Sequence, residues 1–368
     1  MSKGKIIVSV TNDLVTDQRV NRVCSSLLAL NFEVLLVGRK LNNSLPINRK
    51  YQTKRFSLLF NKGFLFYANY NIRLFFFLLF SKSTILWSND LDTLPANYLV
   101  SKLKGVKLVY DSHEYFTEVP ELVNRPRVQK VWQQIEKWIF PKLKNVITVS
   151  NEIANAYHNK YHVKSTVIRN LPFKNKTFYK VKDIKKEGYH LVIYQGSVNV
   201  NRGIEPLVKA MKFVDKTKLY IIGDGDIFDE IVSIVRTLNL EDKVTLLGKI
   251  PFELLPHYTF QADLGVSLEE NVGLNYIYAL PNKLFDYINA GLPVLTSNLP
   301  EMEAVVKKYE IGETISLVNP KTIAEKINEL FSNKEKLNIY AQNSLKAKEE
   351  LCWENEEQKL QDFVNEIK

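Results

Sequence analysis

The chain opens on a short apolar run, Lys5–Val10, followed by a polar loop to Thr16, a stretch of helical period from Asp17 to Leu30, and a second apolar run, Glu33–Val37. Short β-rich runs separated by a 3.6-residue period predict a βαβ unit. Further strands are predicted at Thr84–Trp87, Lys107–Tyr110 and Asn145–Val149, with helices Leu91–Leu103 and Val128–Leu143 between them. This alternation predicts a parallel sheet covered on both faces. A lysine-rich stretch, Phe173–Gly188, breaks the pattern, which resumes at His190–Tyr194 and runs on through Leu219–Ile222, Val244–Leu247, Ala262–Ser267 and Pro293–Thr296. Helical stretches Pro206–Met211, Asp226–Leu238, Pro281–Ala290 and Thr322–Ser332 separate those strands, and Trp353–Ile367 reads as a last amphipathic helix. The fold class is therefore α/β, with two Rossmann-like doubly wound domains facing a cleft at their carboxyl strand edges, where ligands of such sheets bind. The boundaries are residues 1–172 for the first domain, 173–188 for a linker, 189–350 for the second domain and 351–368 for a C-terminal helix.

Length and composition agree with this reading: 368 residues, 45% hydrophobic and 24% charged, exceed what one core usually serves and exclude disordered and fibrous classes. The formal charge of +10 divides unevenly. Residues 1–172 carry 25 Lys/Arg against 11 Asp/Glu, a net of +14, while residues 173–368 carry 25 against 29, a net of −4. A basic first half suits an anionic partner, whether a phosphate-bearing acceptor, an acidic membrane surface or nucleic acid, and equally suits a solvated basic surface. The basic residues are scattered and belong to no recognised nucleic-acid module, so no nucleic-acid partner is expected. Cys24 and Cys352 form neither a disulfide framework nor a metal spacing, which suits a reducing cytoplasm. The amino terminus enters a strand at once, without a secretory h-region, and the longest apolar run, Leu74–Phe80, is too short to span a bilayer. The segment Phe64–Phe80 reads either as a buried helix or as one lying in a membrane interface with Arg73 and Lys82 at the headgroups.

The loops after the strands carry the candidate chemistry. The first, VTNDLVTDQRV, lacks the G-x-G-x-x-G that a dinucleotide pyrophosphate requires, which argues against a dehydrogenase. Its Asp17 and Arg19 are acceptor-side candidates, or else a helix cap and a surface residue. In WSNDLDTLP, Asp90 and Asp92 form a weak acidic pair at a strand-to-helix junction, where aspartate also caps; no metal site is assigned. YDSHE puts Asp111, His113 and Glu114 after a buried strand, where a histidine exchanges protons, hydrogen-bonds a sugar hydroxyl, or is a satisfied structural residue. YQGSVNVNRG supplies Gly196 and Ser197 for close backbone approach and Arg202 for a grip on phosphate. Gly223 and Gly225 of IIGDGD either approach a nucleobase or make a tight turn. In LPNKLFDYINAGLPVL, Pro281 lies just inside a helix start that presents N–H groups to the cleft. Asn282 and Lys283 follow, and Asp286 falls on the same face as Lys283, to bind a ribose diol or to form a surface salt bridge.

Together these segments resemble the retaining glycosyltransferases of family 4, which have the GT-B fold. The resemblance covers nearly the whole chain and rests on D-x-R-V at Asp17–Val20, DLDTLP, YDSHE, VSNE at Val149–Glu152, RNLP at Arg169–Pro172, YQGS…RG, IIGDG, the NKLFDY…AGLPV block and the terminal Trp353 helix. It implies a nucleotide-diphosphate sugar bound by the second domain, an acceptor bound by the first, and a C-terminal helix crossing back to the first domain. It also implies that Arg202 and Lys283 neutralise the leaving diphosphate in place of a metal ion, that Asp286 binds ribose, and that His113 lies near the transferred sugar. No cofactor is implied beyond the sugar nucleotide as co-substrate. The chain departs from the family at the first acid of its Glu-x7-Glu motif, where Tyr278 stands; Glu270, with the amides of Gly273 and Leu274, is the replacement chosen over Glu269. The reading is thus a glycosyltransferase acting on a glycan or lipid-linked acceptor, probed against two alternatives: a nucleotide-sugar epimerase of the same architecture and a non-catalytic nucleotide-sugar-binding protein. The expected location is the cytoplasm, at the inner face of the cell membrane, with an anionic membrane surface as a further partner.

Overall fold

The computed structural model describes residues 3–15, 17–174, 183–185 and 187–367; positions 175–182 and 186 of the expected linker lie outside them. The chain forms two compact units, one of Met1–Asn170 with Glu356–Lys368 and one of Leu171–Asn355.

The first unit is built on seven strands: β1 (Lys5–Ser9), β2 (Glu33–Lys40), β3 (Gln52–Ser57), β4 (Ile85–Asn89), β5 (Lys107–Ser112), β6 (Asn145–Thr148) and β7 (Thr166–Val167). They run parallel in the order β3-β2-β1-β4-β5-β6-β7. Side chains alternate between the two faces of a strand. Ile7, Val37 and Leu86 accordingly join one apolar cluster with Phe66, Tyr70 and Leu74 of the helix Gly63–Phe80 and Val100 of the helix Asp90–Lys104. Trp87, the next residue after Leu86 and fully buried, turns to the opposite face and meets Phe363 of the terminal helix Trp353–Glu366 at 6.2 Å, edge to face. That helix is tied down at its start by Glu356, which accepts from the Arg169 amide at 2.8 Å, and at its end by Lys107, which donates to the Ile367 carbonyl at 2.9 Å.

The second unit carries β8 (His190–Gln195), β9 (Thr217–Ile222), β10 (Val244–Gly248), β11 (Leu264–Ser267), β12 (Val294–Ser297) and β13 (Gly312–Ile315), parallel in the order β10-β9-β8-β11-β12-β13. Alternation again sorts the core: Val192 and Tyr194 pack into one cluster, Leu191 and Ile193 into the other. In each sheet the strand order reverses at its first strand, β1 or β8, so the loops that follow it and its later neighbour part in opposite directions and leave a crevice at the carboxyl edge.

Strands β3, β7 and β13 are additions to the pattern read from the sequence. In β3 only Phe56 is buried, and β13 ends at the single buried Ile315, so neither edge strand offers an apolar run. The helices Pro300–Tyr309 and Lys334–Glu350 are likewise new.

Candidate functional site

At the crevice of the second unit, β8 ends in Gln195 and passes into Gly196. Gly223, which follows β9, has φ +150°, and a side chain there would bring its Cβ to 1.8 Å from the Gly196 carbonyl oxygen. Two glycine turns thus touch backbone to backbone. Gly196, Ser197, Gly223, Gly225 and Lys249 border a surface recess of about 460 Å³. Beside it, Glu269 stands two residues beyond β11 and is wholly buried. One carboxylate oxygen takes Lys283 Nζ at 2.9 Å and Arg202 Nη1 at 3.4 Å; the other accepts from the Ser267 hydroxyl at 2.8 Å, and the Glu269 carbonyl accepts from Ser297 at 2.6 Å. Burial alone would raise the Glu269 carboxyl, but Lys283 and then Arg202 outweigh it and hold the group below its ordinary value, so it is ionised. Two cations share one anion, and the group keeps a net positive charge. Aromatic rings fix both cations from the other side: Lys283 Nζ is 4.1 Å from the centre of the Tyr194 ring and the Arg202 guanidinium 5.0 Å from that of Tyr276. Lys283 lies in the first turn of the helix Asn282–Asn289, whose dipole adds further positive potential. One turn on, Asp286 accepts from Gln195 Nε2 at 3.0 Å, and Gln195 is itself held by the Thr259 hydroxyl at 2.7 Å.

The first unit gathers a second group at its own carboxyl edge, where the sheet register sets Asn89 beside Asp111. His113 Nε2 lies 3.0 Å from Asn89 Oδ1 and 3.7 Å from Asp111 Oδ2, while Nδ1 lies 3.5 Å from Asp90. The His113 backbone amide also donates to Asp90, at 2.8 Å. Burial disfavours the imidazolium, but Asp90 and Asp111 overcome it and raise His113 to about 9. Asp111 is pushed up by burial and pulled further down by Arg19 and His113, ending well below the usual carboxylate range. Asp92 is raised to about 7 by burial and by Asp90, despite a hydrogen bond from Thr11. Glu114 is raised to about 8 by burial, Asp90 and Glu121. At neutral pH His113 is therefore a charged hydrogen-bond donor among carboxyls of unequal ionisation.

Two family descriptions match the sequence: "Glycosyltransferase Family 4" over residues 17–171 and "Glycosyl transferases group 1" over residues 175–347. The chain belongs to the family 4 glycosyltransferases. An uncharacterized glycosyltransferase of Methanocaldococcus jannaschii is 23% identical over 255 residues, covering 67% of this chain and 56% of that protein, so the chain spans little more than half of that relative. The sucrose-phosphate synthase structure from Thermosynechococcus elongatus is similar with a TM-score of 0.82 at 18% identity, covering 98% of each chain. Anabaena HepE, solved in complex with UDP-glucose, has a TM-score of 0.76 at 14% identity, covering 98% of this chain and 99% of that one. Both likenesses are likenesses of fold, and they match the pair of parallel sheets described above.

In this glycosyltransferase the residues picked from the sequence fall into distinct places. Arg202 and Lys283 come together, but the carboxylate that joins them is Glu269 and not Glu270. Glu270 is half-buried, its amide donates to the Asn201 carbonyl, and its carboxyl is raised by burial and by Glu205. Past the end of β11 the Glu269 carboxylate turns back to Ser267, whereas the Glu270 amide is tied to Asn201. Lys283 and Asp286 do not form the surface ion pair that their spacing permits, because Glu269 and Gln195 engage them separately. Pro281 is the residue before the helix and Asn282 the first inside it, one position later than expected; Asn282 is exposed. Gly273 precedes the short helix Leu274–Ile277, and Leu274 is exposed. Asp17 caps its helix by accepting from the Val20 amide at 3.0 Å. Arg19, read as an acceptor-side candidate, is instead 3% exposed and donates to Asp111 at 2.7 Å and to the Ile168 carbonyl at 2.8 Å, so its guanidinium is enclosed within the first unit. Asp90 and Glu114 remain at the His113 cluster. Glu269, the alternative passed over for Glu270, has partners 67 and 14 positions away, which spacing alone does not bring together.

Proposed function

We propose that the chain transfers a sugar from a nucleotide-diphosphate sugar to a hydroxyl of a glycan or lipid-linked acceptor, with retention at the anomeric carbon, in the making of a surface polysaccharide or glycolipid. The observation that carries this reading is the pair of cations clamped on buried Glu269 beside a glycine-bordered recess. In the reaction the bond from the anomeric carbon to the diphosphate oxygen breaks and its electron pair leaves on the diphosphate, while the acceptor hydroxyl oxygen bonds to the carbon and gives up its proton to the departing diphosphate oxygen. Positive groups already in place stabilise the charge that develops on the leaving group, without reorganisation at the moment of reaction. Asp286 is the acceptor for a ribose hydroxyl, and the imidazolium of His113 is a donor to a hydroxyl of the transferred sugar. The UDP-glucose named for HepE makes a UDP-hexose the first donor to test.

Donor and acceptor panels, analysed by mass spectrometry, test the assignment. Arg202→Ala and Lys283→Ala should each lower transfer by about 100-fold or more while the protein stays folded. Near-normal turnover in both would remove the leaving-group role. A donor sugar converted in the absence of any acceptor would instead identify an epimerase.

A further inference from the structure

Between Glu33 and Asp90 the sequence contains no acidic residue and nine Lys/Arg. Within that interval lies the helix Gly63–Phe80, long and apolar enough by length and composition to cross a membrane. Its inner face, Phe66, Tyr70, Leu74 and Leu78, is buried against the sheet, so the helix is a fixed part of the first unit. Leu65, Ile72, Phe76 and Phe80 follow one another at intervals of seven, four and four, which places them on a single face. All four are exposed, Ile72 at 57%, Phe76 at 53% and Phe80 at 82%.

This stripe is not isolated. Tyr67 of the same helix meets Trp132 of the helix Pro126–Ile139 at 5.2 Å, and Tyr98 of the helix Asp90–Lys104 meets Trp138 at 5.6 Å. The three helices therefore share one outer layer, to which the second and third add exposed Leu103 and Trp138. The acids in those two helices are Asp90, Asp92 and Glu136; Asp92 and Glu136 are buried, and Asp90 is held at His113. Lys102, Lys130, Lys137 and Lys142 are exposed on or beside them, with Lys142 stacked over Trp138 at 5.2 Å. At the end of the first helix, Lys54 and Lys82 border with Phe77 a surface recess of about 740 Å³.

We propose that this three-helix layer docks on an anionic lipid bilayer. The apolar stripe enters the headgroup–acyl boundary, Trp138 sits at headgroup level, and the lysines meet lipid phosphates. An exposed apolar stripe beside Lys102, Lys130, Lys137 and Lys142, which outnumber the exposed Glu121 of the adjoining helix Pro120–Val123, has the chemistry of such an interface. The inference rests on the first unit alone and stands apart from the transferase reading.

Co-sedimentation of the full chain with vesicles tests it, comparing phosphatidylglycerol-containing with pure phosphatidylcholine vesicles at low and high salt. Binding should require the anionic lipid and weaken with salt. Ile72→Glu with Phe76→Glu should cut partitioning by about tenfold or more. Both sites are exposed, and an unchanged melting temperature checks the fold. Lys102→Glu with Lys142→Glu gives a second variant with an intact apolar stripe and should also bind less. Absence of binding at low salt overturns the proposal. So does binding indifferent to Ile72 and Phe76, which would mean adsorption by charge alone. Self-association of the wild-type chain that the Ile72→Glu change abolishes would assign the face to a second copy and overturn it as well.

Discussion

Glu269 is a buried carboxylate that holds Lys283 and Arg202 together. Removing it from an ion cluster leaves two cations facing one another in a place with little water. Glu269→Gln should therefore destabilise the second unit by about 3 kcal/mol and slow transfer by about 10- to 100-fold. Glu269→Asp should fall between the two, and kinetics on folded protein decide it: an unchanged kcat in the Gln variant would reduce Glu269 to packing. His113 makes a separate prediction through its ionisation. Its pKa in the folded chain is raised from 6.5 to about 9, so the stabilisation it contributes is complete below about pH 6.5 and is lost as the pH rises through 9. His113→Gln should cost on the order of 2 kcal/mol at pH 6 and much less at pH 10. Denaturation midpoints at the two pH values give the comparison, and an equal loss at both would show that the imidazolium is not what Asp90 and Asp111 stabilise.

At the scale of elements, what matters is how loops and helices are held at the sheet edges. The turn at Gly223 combines a positive φ with contact between two backbones, so Gly223→Ala forces apart the loops after β8 and β9. It should lower stability by about 2 kcal/mol and weaken nucleoside-diphosphate binding together with it. Melting curves and titration calorimetry should move jointly, and tight binding by the Ala variant would exclude the two-loop contact as the frame of the donor recess. The terminal helix is held by packing: its Phe363 covers Trp87, and Phe363→Ala should cost about 2 kcal/mol, read as a lower melting temperature of the first unit.

For the whole molecule, each unit has its own sheet and core, and the chain joins them twice, near Asn170 and near Glu356. A nucleoside diphosphate bound only by the second unit stabilises it by mass action, by about 2.7 kcal/mol at a hundred times its Kd. Amide exchange should slow in Leu171–Asn355 and much less in the first unit. Equal protection of both would place donor contacts on each. The charge division, +14 over residues 1–172 against −4 over the remainder, belongs to this scale too, since it gives the two parts of the chain potentials of opposite sign.

Much of this was legible in the residue order because its causes are local. Apolar runs such as IIV in β1 and the helical period after Asp17 reflect the geometry of a few neighbouring residues, so the doubly wound class follows from them. That class in turn puts Gly196, Gly223, His113 and Lys283 beyond carboxyl strand ends, where ligands bind. Edge strands β3 and β13 escaped because an edge needs little apolar surface and leaves no such pattern. Only tertiary structure decided that Glu269 and not Glu270 joins the cations, that Arg19 is enclosed by Asp111, and that Phe66, Tyr70, Leu74 and Leu78 of Phe64–Phe80 enter the core while Ile72, Phe76 and Phe80 are exposed. Each of these depends on which distant side chains meet. That choice is made by packing across the whole sheet, through contacts that no local period encodes.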